Sequence, residues 1–315
     1  MSSAPSPRPV WPRNAATCGP SQVSGAMSPP SFHEAYQLAR AAEAVRPSQS
    51  VPGYRVYWVC AGSFGSRDLR AGASDFAIAG RHTLCDVVLE GHPSVALRHL
   101  LLRTTCLDDG CPRLSVLDLQ THEGFELADG SRHRSLAGVG AIALRVGSHV
   151  LVALPSGEPA PADLPEPVQV HPYRQPARAF GQTMVSLLAP PVSIADREDS
   201  RAPGGPGTYA VTLQGERGHA TTFVTGLDLA RGVLFGRAPK CVGGGLREVL
   251  TMGISRVHLL VLPGREPFEC IAYDLASTQG VYQHGQRARR FKLPAAGAQL
   301  RLGMSGFVDL FWRAL

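Results

Sequence analysis

The chain has almost no lysine. Lys240 and Lys292 are the only two, although Lys and Arg together number 31 in 315 residues. Its positive charge is therefore nearly all guanidinium, the group suited to forked contacts with phosphate or carboxylate. Charged residues are scarce overall, at 18%, and the formal net charge is only +6. So small an excess gives no reason to expect a nucleic-acid partner, and the one basic run, RARRFK at 287–292, reads as a solvated loop. Long hydrophobic runs are also missing. The richest stretch, AGVGAIALRVGSHVLVALP, is interrupted by Arg145 and His149 and reads as two strands, leaving no membrane-spanning segment. The N-terminal MSSAPSPRPVWPRNAATCGP lacks the apolar segment of a secretory signal, so a cytoplasmic protein is expected. The seven cysteines are odd in number and irregularly spaced, unlike a disulfide framework. Cys106 and Cys111 have no second pair to complete a zinc site, so no metal is expected. Nucleophile elbow, HExxH and kinase motifs are absent, and the carboxylates show no pairing. Neither an enzyme nor a cofactor is expected.

Four segments follow from what is present. Residues 1–50 are rich in Pro, Ser and Ala and are expected to be a disordered tail. Within it, SFHEAYQLARAAEAVR (31–46) has Ser31 and Glu34 at capping-box spacing and Pro47 beyond its end. A short helix is expected, either docked or transient, since its apolar face is thin. Residues 51–155 carry short apolar runs with Gly, Asp, Pro and Ser between them, such as YRVYWVC, FAIAG, HLLLRTT and RLSVLDL. That pattern predicts a β-sandwich. Residues 156–207 form a proline-rich linker, with Thr183 in FGQTMVSLL either an ordinary linker residue or a site read by a neighbour. The strand pattern returns over 208–315. The expected fold class is all-β, two sandwich domains joined by the linker.

The two β domains share landmarks. Gly80-Arg81 and Gly236-Arg237 lie 156 residues apart, as do Asp118-Leu119 and Asp274-Leu275, Gly124 and Gly280, and Leu144 and Leu300. His99 and His258 are separated by 159, an insertion undone before the Asp-Leu pair. One offset kept at four landmarks points to an internal duplication. In the second copy the polar landmarks precede or follow strands, where binding loops sit on a rigid scaffold. ISRVHLLVL, 254–262, shows this best: four apolar residues, Leu259 to Leu262, are entered through Ser255, Arg256 and His258. Arg237, Ser255 and Thr278 together supply donors and no negative charge, which suits a phosphate.

In this order, Gly-Arg, Ser-Arg-x-His, Asp-x-x-Ser-Thr-x-Gly and Leu-x-x-Gly, the chain resembles the forkhead-associated (FHA) domain. The resemblance covers both β segments. It implies a β-sandwich whose loops recognise phosphothreonine peptides. It further implies that Arg237 pairs with phosphate, that Ser255 binds it through hydroxyl and backbone N–H, and that Thr278 faces it. Arg256 adds charge at the rim, and His258, like His99 in the first copy, braces the loop without touching ligand. Gln279 departs from the family's asparagine, which implies a weaker or altered peptide register. The first copy keeps Arg81 but has Ala96 opposite Ser255, and Thr121, His122 and Glu123 opposite Ser277, Thr278 and Gln279. A carboxylate about 6 Å from a phosphate costs about 1–3 kcal/mol. The first copy is therefore expected to have lost phosphate binding and to bind an unphosphorylated partner or pack on the second. Two readings stay open: a phosphothreonine-binding adaptor in Ser/Thr kinase signalling, with a kinase or its substrate as partner, or an assembly protein whose FHA folds make phosphate-independent contacts. Neither calls for nucleic acid or a membrane.

Overall fold

The computed structural model describes residues 28–46, 51–71, 75–156, 161–164, 168–169, 207–242, 246–264 and 266–315. The rest of the expected tail, most of the proline-rich linker with Thr183, and Gly243 to Gly245 lie outside the described residues. No helix among them is long and apolar enough to cross a membrane.

The first helix, α1 (Phe32–Ala44), starts where the capping box predicts. The Ser31 hydroxyl accepts the Glu34 N–H, and the Ser31 N–H donates to the Glu34 carboxylate at 2.8 Å. The first β unit follows. Its strands are β1 (Gly53–Cys60), β2 (Ser63–Arg70), β3 (Phe76–Gly80), β4 (Val87–Val88), β5 (Leu100–Cys106) and β6 (Pro112–Asp118). They continue with β7 (Phe125–Glu126), β8 (Arg132–His133), β9 (Ser135–Val139), β10 (Ile142–Val146), β11 (His149–Pro155) and β12 (Val168–Gln169). Two six-stranded sheets result, in the orders β2-β1-β11-β10-β7-β8 and β12-β9-β6-β5-β3-β4.

The second unit has β13 (Thr208–Gly215), β14 (Gly218–Thr225), helix α2 (Gly226–Arg231), β15 (Val233–Phe235), helix α3 (Leu246–Val249), β16 (Leu259–Pro263) and β17 (Cys270–Asp274). It ends with β18 (Val281–Gln283), β19 (Gln286–Ala288), β20 (Arg290–Leu293), β21 (Ala298–Leu302) and β22 (Val308–Ala314). Its sheets run β14-β13-β22-β21-β18-β19 and β15-β16-β17-β20. Each unit is thus a β-sandwich with its own interior.

The apolar runs that do not alternate mark strands covered on both faces. In β16, Leu259 and Val261 enter the second unit's own core, while Leu260 and Leu262 enter a cluster shared with the first unit. In β17, Ala272 faces inward and Tyr273 faces that shared cluster. Across the boundary, β3 divides Ala77 and Ala79 from Phe76 and Ile78 in the same way. The ring of Tyr273 meets Phe76 edge-on at 5.0 Å. Polar contacts rim the apolar patch. Arg289 pairs with both oxygens of Asp86 at 2.7 and 2.6 Å and lies over the Phe76 ring. Arg103 donates to the Tyr273 hydroxyl at 3.2 Å. The RARRFK stretch is therefore strand rather than solvated loop. Arg289 crosses the boundary, and Phe291 is buried in the core. The two strands of this stretch, β19 and β20, meet at Arg289, whose charge is paired with Asp86.

The outer face of the first unit is apolar as well. Tyr57, Val59, Val150, Val152 and Leu154 lie there, and α1 covers them with Ala35, Tyr36 and Ala39. Glu43 anchors the helix end, accepting from Arg55 at 2.9 Å and from the Tyr57 hydroxyl at 2.5 Å. The helix is docked.

Candidate functional site

The candidate site is built where β15 and β16 meet the turns that precede and follow them. Gly236 directs the chain out of β15 at φ +153. A Cβ there would run into the Arg256 carbonyl oxygen, so only glycine lets the two turns approach. This closeness brings the Arg237 N–H to the Ser255 carbonyl at 3.2 Å. The Arg237 guanidinium is half-buried and held from behind. Its Nε donates to the Ile254 carbonyl at 2.5 Å, and its Nη1 lies 3.3 Å from the Met252 sulfur. The outer N–H groups of the fork remain for a ligand.

Ser255 and Thr278, 23 residues apart, are joined directly. The Thr278 backbone N–H donates to Ser255 Oγ at 3.2 Å. With Oγ already accepting, the serine O–H is available to donate outward. Thr278 is exposed beside it. Gln279 turns its amide oxygen inward, accepting from the Met304 N–H and Ser305 N–H, each at 3.0 Å, and from the Ser305 hydroxyl at 3.2 Å. It ties the Thr278 loop to the turn after β21. Its Nε2 lies next to Gly253. Arg256 is exposed beside Ser255, and its charge is felt at Lys240.

His258 fastens these loops from below. Its ring is fully buried. Nδ1 accepts the Ser255 N–H at 3.1 Å, and Nε2 donates to the Gly280 carbonyl at 3.1 Å. That pattern fixes the neutral tautomer with the proton on Nε2. Burial holds its pKa down at about 4, against a weaker upward pull from the Gly280 carbonyl. Asp274 underpins the same turn by accepting the Ser277 N–H at 2.9 Å, and burial raises its pKa.

The first unit repeats this framework without the Ser255 and Thr278 hydroxyls. His99 accepts the Ala96 N–H at 3.0 Å and donates to the Gly124 carbonyl at 2.7 Å. Arg81 Nε donates to the Val95 carbonyl, as Arg237 does to Ile254. Thr121 takes the part of Ser277, its hydroxyl accepting the Gly124 N–H at 3.1 Å. Where Ser255 and Thr278 stand, however, this unit has Ala96 and His122. Glu123 is engaged by Arg132 and, at 3.3 Å, by His122.

Three participants carried no signal in the sequence. Met252 supports the Arg237 fork through sulfur. The Arg287 guanidinium lies against Gly280, where a Cβ would collide with it. Arg98, from the other unit, reaches the carbonyls of Leu275 and Ala276. None of these residue types at these spacings forms a motif.

No family model matches this sequence, and no curated protein does. Solved structures similar to parts of it include the FHA domain of the CT664 protein from Chlamydia trachomatis. That match has 14% identity and a TM-score of 0.28 and covers 32% of this chain and 96% of that one. Another is the Mycobacterium tuberculosis Rv1747 FHA-1, at 24% identity and TM-score 0.26, covering 34% of this chain and 99% of that one. A third comes from work on phosphothreonine-dependent FHA domain interactions, at 22% identity and TM-score 0.25, covering 34% and 97%.

Proposed function

We propose that residues 208–315 are an FHA unit that binds a phosphothreonine peptide, and that the chain is a tandem FHA adaptor in Ser/Thr kinase signalling. Residues 51–155 are the degenerate partner, and 156–207 the linker. The observation that carries this reading is the Ser255–Thr278 junction beside a braced Arg237. The Ser255 hydroxyl, the backbone of Thr278 and a guanidinium anchored on Ile254 are brought together there. The segments 236–240, 252–258, 277–280 and 303–306 that surround them contain no Asp or Glu. A dianionic phosphate would accept from Arg237 Nη, from the Ser255 O–H and from the Thr278 O–H; the Ser255 N–H, expected to join them, is instead committed to His258 Nδ1. Because Ile254, Met252 and His258 already hold these donors, little ordering is left for the moment of binding. Arg256 adds charge at the rim. Gln279 spends its oxygen on Met304 and Ser305, so only its Nε2 is left to meet a peptide backbone, a reason for a register unlike that of an asparagine. The chain acts here by binding and not by catalysis.

The test is titration of the full chain with a phosphothreonine peptide library. Selected peptides should lose binding on Arg237→Ala or Ser255→Ala and on dephosphorylation. Peptides that bind both variants as well as the wild type sink the proposal.

A second reading, phosphate-independent assembly, is favoured by the first unit's Ala96 and Glu123. It requires partner pull-downs to survive phosphatase treatment.

A further inference from the structure

The second unit's recognition loop is not held by its own unit alone. Between Asp274 and Gly280 the chain passes through Ala276 at φ +53, a left-handed conformation that costs energy in a residue with a Cβ. The carbonyls at this turn face the other unit. Arg98 takes both, Nε donating to Leu275 O and Nη2 to Ala276 O at 2.6 Å. Arg98 is only 6% exposed. Burial lowers its pKa, with Cys85 and Asp274 pulling the other way. A guanidinium buried on carbonyls, with no carboxylate among the described residues in hydrogen-bond contact, is costly to place. What it secures are the two residues just before Ser277, Thr278 and Gln279.

A converse contact exists. Lys240 of the second unit donates to the carbonyls of Leu119 and Gln120, the latter at 3.3 Å, and Gln120 also has φ +53. That turn leads to His122 and Glu123, where the second unit has Thr278 and Gln279, and Glu123 brings a carboxylate that repels a phosphate. Of the two reciprocal braces, only the one from Arg98 bears on a set of phosphate donors.

We propose that Arg98 is a positioning residue of the second unit's phosphopeptide site, so that the first unit, which lacks the serine and threonine hydroxyls of that site, sets the affinity of the second. This rests on the reading of the site given above. Arg98→Ala is compared with Leu101→Ala in the full chain. Leu101 is buried in the same interface but has no polar side-chain atom to offer the loop. The probe is a phosphothreonine peptide selected on the wild type. Arg98→Ala should weaken its binding roughly tenfold, Leu101→Ala far less for a comparable loss in melting temperature, and Arg98→Lys should recover part of the affinity. Equal weakening by Arg98→Ala and Leu101→Ala, or none by either, overturns the proposal. If Arg98→Ala does not fold, Arg98→Lys against Leu101→Ala makes the same comparison. Amide exchange of the ligand-free chain separates the two claims. Exchange at residues 277–280 that is faster in Arg98→Ala than in Leu101→Ala supports positioning even if the wild type binds no phosphothreonine peptide, in which case only the reading of the site falls. Equal exchange in the two variants overturns positioning.

Discussion

Acidification should loosen the candidate site through one imidazole. His258 is fully buried, with Nδ1 accepting from Ser255 and Nε2 donating to Gly280. A second proton can go only onto Nδ1, and there it displaces the Ser255 N–H. Folding therefore favours the neutral ring and depresses its pKa from 6.5 to about 4. The sign follows from linkage. As pH falls below 6.5 the unfolded chain takes up a proton that the folded chain refuses until about pH 4. The stabilisation is fully present above 6.5, fades through that window and is gone below it. The gap between the two values corresponds to about 3 kcal/mol. His99 and His149, also lowered by burial, act in the same direction, so the whole acid slope does not belong to His258. His258→Gln isolates its share, because glutamine does not titrate. The variant should be less stable than the wild type near neutral pH, and the difference should shrink by about 3 kcal/mol on the way to about pH 4. Urea unfolding across the pH series measures this, and the His258 Cε1–H resonance reports the ring directly. A stability gap that stays constant with pH, or a ring that titrates near 6.5 in the folded protein, refutes the reasoning. Peptide affinity is the poorer readout, because a phosphate loses charge itself near pH 6.

Three further perturbations separate the parts of the structure. Gly236→Ala places a Cβ against the Arg256 carbonyl at a positive φ. It should lower stability by about 1–3 kcal/mol, read by thermal melting, and weaken phosphopeptide binding with it; an unchanged melt would mean the turns do not meet as described. Tyr273→Ala empties the aromatic contact between the units and should cost about 3–5 kcal/mol, whereas units that fold without each other would show almost no loss. Finally, Ala96→Ser, His122→Thr and Glu123→Asn together place phosphate donors on the first unit's existing frame of Arg81 and His99. Calorimetry should then count a second phosphopeptide site per chain, and a stoichiometry still at one would show that the frame alone does not make a site.

Much of this architecture could be read from residue patterns, and the residues that could not be read share a cause. The strand runs, the helix at 32–44 and the repeated landmarks all depend on short-range rules: alternation, capping and turn chemistry. Whether the helix docks was also written in the sequence, though not in the helix itself. In the first unit Tyr57, Val59, Val152 and Leu154 make both faces of β1 and β11 apolar, so something must cover the outer one. The matching sheet of the second unit carries Thr212, Gln214, Asp309 and Phe311 on that face, three of them polar, and α3 packs instead on its core side through Leu246 and Val249. Comparing the two copies face by face, rather than landmark by landmark, separates a docked helix from a transient one.

Arg98 marks where such reading stops. Its partners are the carbonyls of Leu275 and Ala276, groups that every residue possesses, so no side-chain type near position 275 advertises the contact. The same holds for Lys240 and the carbonyls of Leu119 and Gln120. The apolar half of the interface was visible, because Leu259 to Leu262 form an unbroken run and only burial on both faces explains such a run in an otherwise alternating sheet. The polar half was not. In ISRVHLLVL the two kinds of information meet. Leu260 and Leu262 face the first unit, Leu259 and Val261 face the second unit's core, and Ser255 stands where His258 can hold it. The strand that carries the candidate site is also the strand that the other unit packs against. A change at the interface therefore has a path of two residues to the Ser255 loop, from Leu260 to His258, in addition to the direct hold of Arg98 on the loop that carries Thr278.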